Sequence, residues 1–131
     1  MTVYLRASQD FQKVYRQGKR YDGVLITAFL LPNNLSHNRF GITASRKAIG
    51  NAVQRNRCRR LLRETFRLKE SSLHALPSKY DWVLNARRRL LQVKLEQPLE
   101  DFRRIIEAIK KSESELNQGE SNAAVGEVQK R

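Results

Sequence analysis

Six arginines fall within the thirteen residues from Arg55 to Arg67, at positions 55, 57, 59, 60, 63 and 67. At about 100° per residue, a helix here gathers Asn56, Arg59, Arg60, Arg63 and Arg67 into one stripe and assigns Val53, Cys58, Leu61, Leu62 and Phe66 to the other side. The chemistry such a ridge offers is phosphate binding, because guanidinium groups pair bidentately with phosphate and stack on bases. The competing explanation is a solvated charged surface. A solvated face usually mixes signs, since opposite charges at i, i+4 gain about 0.2–0.5 kcal/mol per pair. Here only Glu64 lies nearby, while Arg55/Arg59, Arg59/Arg63 and Arg63/Arg67 repel at that spacing. A polyanion relieves the repulsion, so nucleic acid is the favoured reading.

Other residues extend the pattern. Arg46 and Lys47 precede the arginine helix, and Arg87, Arg88 and Arg89 follow an apolar run; both groups sit at element ends, where loops can bring them to one rim. Phe11 and Tyr15, spaced i, i+4, suit either the core or a platform for unpaired bases, and Phe29 is open in the same way. Trp82 reads as core and Cys58 as a small packed hydrophobe.

Protein-borne catalysis finds little support. A two-metal nuclease needs several carboxylates at one spot. Before residue 112 the acids are isolated along the chain except Glu100-Asp101, which opens a helix and suits its dipole. His37 and His74 fall in separate segments, and with the single Cys58 they give no zinc spacing. No catalytic residue and no metal ligand is assigned.

The elements that must position these residues follow from local signals. Ser8 as N-cap and Gly18 at the C-terminal end bracket a first helix over about 9–17. Strands are predicted over 24–31 and 39–45, joined across the polar loop 32–38 as an antiparallel hairpin, with an extra short strand near 19–21. Asn51 caps a long helix over about 52–68, and a strand over 80–86 puts Tyr80, Trp82, Leu84 and Ala86 on one face. Pro98 at the first position opens a last helix to about Lys111, with Leu99, Phe102, Ile105, Ile106 and Ile109 as its apolar stripe. The fold class is α+β, a two-layer sandwich in the order α-β-β-(β)-α-β-α. Residues 1–111 read as a single domain and 112–131 as a disordered polar tail.

The chain has 131 residues and a formal net charge of +13; the tail contributes −2, so residues 1–111 carry +15. An extended anionic partner is implied. A hydrophobic content of 40% supports a modest core. No run approaches the roughly 20 apolar residues of a membrane span, so no membrane partner is expected, and the lone cysteine suits a reducing cytoplasm.

The run GITASRKAIGNAVQRNRCRRLLRETFR, with DFQKVYRQGKR upstream, resembles the signature of the bacterial ribonuclease P protein subunit family. The matching positions are Ile49, Ala52, Arg55-Asn56-Arg57, Arg59-Arg60 and Leu62-Arg63, with Cys58 where the family has an aliphatic residue, and the resemblance spans about residues 8–111. It implies an α/β sandwich with a left-handed β-α-β crossover, against the usual hand. It also implies an accessory protein whose RNA partner is the catalyst: the ribonucleoprotein removes the 5′ leader of precursor tRNA with Mg²⁺ held by RNA, and the protein alone binds no cofactor. Carried over by position, Arg55, Asn56, Arg57, Arg59, Arg60, Arg63 and Arg67 would bind the catalytic RNA. Phe11, Tyr15, Phe29, Arg46 and Lys47 would bind the leader, in a complex of one RNA and one protein monomer.

Two rivals stand beside this. A double-stranded-RNA domain runs α-β-β-β-α, whereas here a strand and a helix follow the basic helix. A ribosomal protein could share composition and fold, and only the partner RNA separates it. A self-sufficient RNA-cleaving enzyme would act without RNA, which an assay of the free protein decides.

Overall fold

The computed structural model describes residues 3–121. The chain folds as β1 (Val3–Tyr4), α1 (Ser8–Gln17), β2 (Lys19–Asp22), β3 (Ile26–Pro32), β4 (Arg39–Thr43), α2 (Ala52–Leu68), α3 (Glu70–His74), β5 (Tyr80–Ala86), a 3₁₀ turn (Arg88–Gln92) and α4 (Glu96–Ser121). One five-stranded sheet has the order β1-β4-β5-β3-β2. The α+β class holds. β1 and α3 are too short to announce themselves in the sequence.

The hairpin predicted between the strands over 24–31 and 39–45 is absent: β3 and β4 are not neighbours. β3 pairs antiparallel with β2 and β5, and β4 pairs parallel with β1 and β5. β5 therefore separates β3 from β4. Six of its seven residues are buried, and so apolar a strand is most favourable at the centre, covered on both faces. The loop after β3 crosses over the start of β5 and is tied to it. Asn38 Oδ1 accepts from the Tyr80 N–H at 2.8 Å and from Trp82 Nε1 at 3.2 Å, and Asn33 Nδ2 donates to Asp81 Oδ1 at 3.0 Å. β4 and β5 are then parallel neighbours linked through α2, a β-α-β crossover.

Strand alternation sorts the side chains. Ala28, Leu30, Phe40, Trp82 and Leu84 join Cys58, Leu62 and Phe66 of α2 and Phe102, Ile105, Ile106 and Ile109 of α4 in the main core. The Phe66 ring stacks on Phe40 at 4.1 Å and meets Trp82 edge-on at 5.9 Å. On the opposite face, Val83 packs with Leu5 and with Val14 of α1, flanked by Phe11, Phe29 and Leu31. The Asp101 carboxylate of α4 accepts the backbone N–H groups of Val24, Leu25 and Ile26 at 3.0, 2.9 and 3.0 Å, which pins α4 to the turn before β3.

Several boundaries differ from expectation. α1 begins at Ser8, with Ala7 at the cap position and no side-chain cap. Gly18 ends α1 in extended conformation, and it suits the site because a Cβ would lie 2.5 Å from the Val14 carbonyl oxygen. Pro98 sits inside the first turn of α4, which starts at Glu96. α4 also continues through Ser121, ten residues past the expected end at Lys111, so residues 112–121 are helical where a disordered tail was expected. Propagation of an existing helix adds one hydrogen bond per residue, and Glu113 on this extension accepts a hydrogen bond from the Tyr80 hydroxyl of β5. The remainder of the expected tail, 122–131, lies outside the described residues.

Candidate nucleic-acid interface

α2 has the predicted bounds because its start is encoded locally. The Asn51 side chain accepts the Gln54 N–H at 2.9 Å and Gln54 Oε1 accepts the Asn51 N–H at 3.0 Å, a complete capping box. Cys58, Leu62, Thr65 and Phe66 are buried, which turns the opposite side to solvent. Asn56, Arg57, Arg60, Arg63 and Arg67 are exposed there, and Arg55 and Arg59 are half-buried at the border with the core. Arg57 reaches toward the turn after β5 and donates to the Val93 carbonyl at 3.1 Å, and Arg59 donates to Asn56 Oδ1 at 3.3 Å. Val53, expected on the apolar side, is 78% exposed. It lies seven residues before Arg60, two turns of helix, and so shares the ridge.

Acids do little to neutralise this face. Glu64 is bound by Arg67, whose hydrogen bonds hold its carboxyl below the ordinary value. Burial pushes the Cys58 thiol up, so Cys58 is a packing residue and not a nucleophile.

The aromatic candidates lie across the sheet from the ridge, except that each is anchored differently. Phe11 is half-buried against Gly41, where a Cβ would come within 2.3 Å of its ring. Tyr15 is 38% exposed and meets the Phe29 ring edge-on at 4.9 Å. Its hydroxyl donates to Asn85 Oδ1 at 2.8 Å, and Thr43 Oγ1 donates to the same oxygen at 2.6 Å. The Arg20 guanidinium lies 5.6 Å from the Phe29 ring centre. Phe11, Tyr15 and Phe29 therefore form a half-exposed floor with a polar centre and cationic edges, a surface able to stack unpaired bases. Arg20, Thr43 and Asn85 had no sequence signal, because only strand register brings them to this floor.

Arg46 and Lys47 are exposed in the turn after β4, and Arg87, Arg88 and Arg89 are exposed after β5. The pairing of Thr43 with Asn85 puts the C-terminal ends of β4 and β5 side by side. Both basic groups therefore share one end of the sheet.

Several carboxylates have structural partners. Asp22 pairs with Arg20, Asp81 with Arg39, and Glu100 with Arg103 and Arg104. The Arg103 hydrogen bond holds Glu100 at a pKa of about 2, unsuited to proton transfer near neutrality. Among the described residues no three His, Cys, Asp or Glu side chains group so as to hold a metal ion.

The sequence model described as Ribonuclease P matches residues 2–110. The chain belongs to the ribonuclease P protein family. It is 39% identical to the ribonuclease P protein component of Pelotomaculum thermopropionicum over 102 residues, 78% of this chain and 88% of the relative. It is 38% identical to that of Caldanaerobacter subterraneus subsp. tengcongensis over 107 residues, 82% of this chain and 83% of the relative. Among solved structures, the RNase P protein of Staphylococcus aureus superposes with a TM-score of 0.70 at 26% identity, covering 82% of this chain and 94% of that one. The RNase P protein of Thermotoga maritima gives 0.69 at 26%, covering 82% and 96%. The family's match spans α1, α2 and the whole sheet, so ridge and aromatic floor both lie within it. Among the described residues no helix is long and apolar enough to cross a membrane.

Proposed function

We propose that this chain is the protein subunit of ribonuclease P, a monomer in a cytoplasmic complex of one RNA and one protein. It binds the catalytic RNA through Arg55, Asn56, Arg57, Arg59, Arg60, Arg63 and Arg67. It holds the single-stranded 5′ leader of precursor tRNA over Phe11, Tyr15 and Phe29, with Arg46 and Lys47 meeting leader phosphates. Endonucleolytic removal of the leader is Mg²⁺-dependent, and in this reading the ion belongs to the RNA. The observation that carries the proposal is the division of labour in the fold: an arginine ridge outside α2 and an aromatic floor on the other face of the sheet, in a family named for ribonuclease P. Two RNA segments can be held at once on such a body.

The test is reconstitution. The chain added to its matching catalytic RNA should raise 5′-leader cleavage of precursor tRNA at low Mg²⁺, and the chain alone should cleave nothing. Cleavage by the RNA-free protein, or no effect on the RNA's activity, overturns the proposal.

A further inference from the structure

Beside the arginine ridge stands an aromatic side chain that belongs neither to the ridge nor to the floor formed by Phe11, Tyr15 and Phe29. Tyr4 lies on the edge strand β1, paired in register with Phe40. Its ring is 4.6 Å from that of Phe40, tilted by 41°, and Phe40 stacks in turn on Phe66. Tyr4 is thus the outer end of an aromatic column rooted in the main core. It is 43% exposed, whereas Phe40 and Phe66 are 1% and 2%. In front of it a cleft of about 170 Å³ is lined by Tyr4, Phe40, Arg60, Arg63, Glu64 and Arg67. Three guanidinium groups face one carboxylate there, and that carboxylate is already engaged by Arg67.

We propose that this cleft is a pocket for a single unstacked nucleotide of the partner RNA, its base lying on Tyr4 and its phosphate between Arg60 and Arg63. The inference rests on the ribonuclease P reading and adds a site to it. Three properties carry it. An exposed aromatic ring held rigid from behind is a stacking platform, and stacking tolerates any base. The arginines supply bidentate phosphate contacts within reach of that platform. The cleft has the size of one planar heterocycle and is too small for a duplex, and RNA recognition favours bases splayed out of bulges and loops. The pocket opens on the α2 face of the sheet, the opposite face from Phe11, Tyr15 and Phe29, so its occupant is a different RNA segment from the leader.

The experiment uses the full chain and the matching catalytic RNA. Filter binding compares the native protein with Tyr4→Leu and Tyr4→Phe, and thermal melts check folding. Tyr4→Leu should bind the catalytic RNA about tenfold more weakly and Tyr4→Phe should bind as the native protein does. The preference for precursor over mature tRNA should be unchanged in both. Ultraviolet crosslinking of the native complex should place an adduct on the peptide containing Tyr4, joined to a nucleotide that structure probing reports as unpaired. Tight RNA binding by a folded Tyr4→Leu protein overturns the pocket, as does a crosslink to a duplex nucleotide or none at Tyr4. If Tyr4→Leu does not fold, the crosslink decides. Failure of the native protein to bind the RNA at all would instead overturn the ribonuclease P reading.

Discussion

Arg39 and Asp81 form a two-pronged ion pair across the parallel strands β4 and β5, with Nε 2.8 Å from Oδ1 and Nη2 2.6 Å from Oδ2. It sits where β5 enters between β3 and β4, beside the Asn33 side chain that bonds the same carboxylate. The pair ties β4 to the strand that displaced the expected hairpin partner.

Burial acts to raise the Asp81 pKa, but hydrogen bonds from Arg39 and Asn33 outweigh it and leave the carboxyl below its ordinary value. A depressed folded pKa stabilises the fold above the unfolded value of about 3.9, and the contribution is lost as pH falls through the folded value. Melting temperature should therefore drop as pH is lowered below about 4, with a shallower drop in Asp81→Asn. At neutral pH, Asp81→Ala should cost about 1–3 kcal/mol, since Arg39 and Asn33 lose their acceptor. Equal acid sensitivity in native protein and Asp81→Asn would refute the assignment.

Binding of the catalytic RNA should weaken steeply with salt, because each phosphate neutralised releases counterions with a slope of about −0.7 to −0.9. Arg63→Ala should cost about 1–3 kcal/mol of affinity, reduce the salt slope by about one, and leave the melting temperature nearly unchanged, since Arg63 is exposed. Salt titrations of both proteins measure this. An unaltered affinity would make Arg63 a solvated surface residue.

Tyr15→Leu and Phe29→Leu should each weaken precursor tRNA binding to the holoenzyme by about 1–3 kcal/mol while sparing mature tRNA, which lacks the 5′ extension. Leucine keeps most of the packing, so loss of stacking is separated from loss of core. Parallel losses for both tRNAs would remove these residues from the leader site.

Gly41→Ala addresses the floor from beneath. The new methyl would meet the Phe11 ring at 2.3 Å, so α1 must move off β4 or Phe11 must swing out. Overpacking of this kind costs about 1–3 kcal/mol. A lower melting temperature together with weaker precursor binding is expected. Normal binding in a clearly destabilised variant would mean that Phe11 serves α1 packing alone.

Features set by near neighbours were legible along the chain. The start of α2 is written in Asn51 and Gln54, its two sides in the 3.6-residue period, and the arginine ridge follows once Cys58, Leu62 and Phe66 turn inward. Even there, Val53 stands on the exposed side against its apolar type, because its angular position places it two turns before Arg60. Features set by distant partners emerged only on folding. Strand order was illegible: Asn33 and Asn38 close over β5 only after a chain segment more than forty residues away arrives. Tyr4 gained an arginine-walled cleft, and Tyr15 gained Asn85, through sheet register and not through spacing along the chain. Local hydrogen-bonding and periodicity constrain a helix residue by residue. A sheet is selected by the global burial of its most apolar strand, which no short window contains.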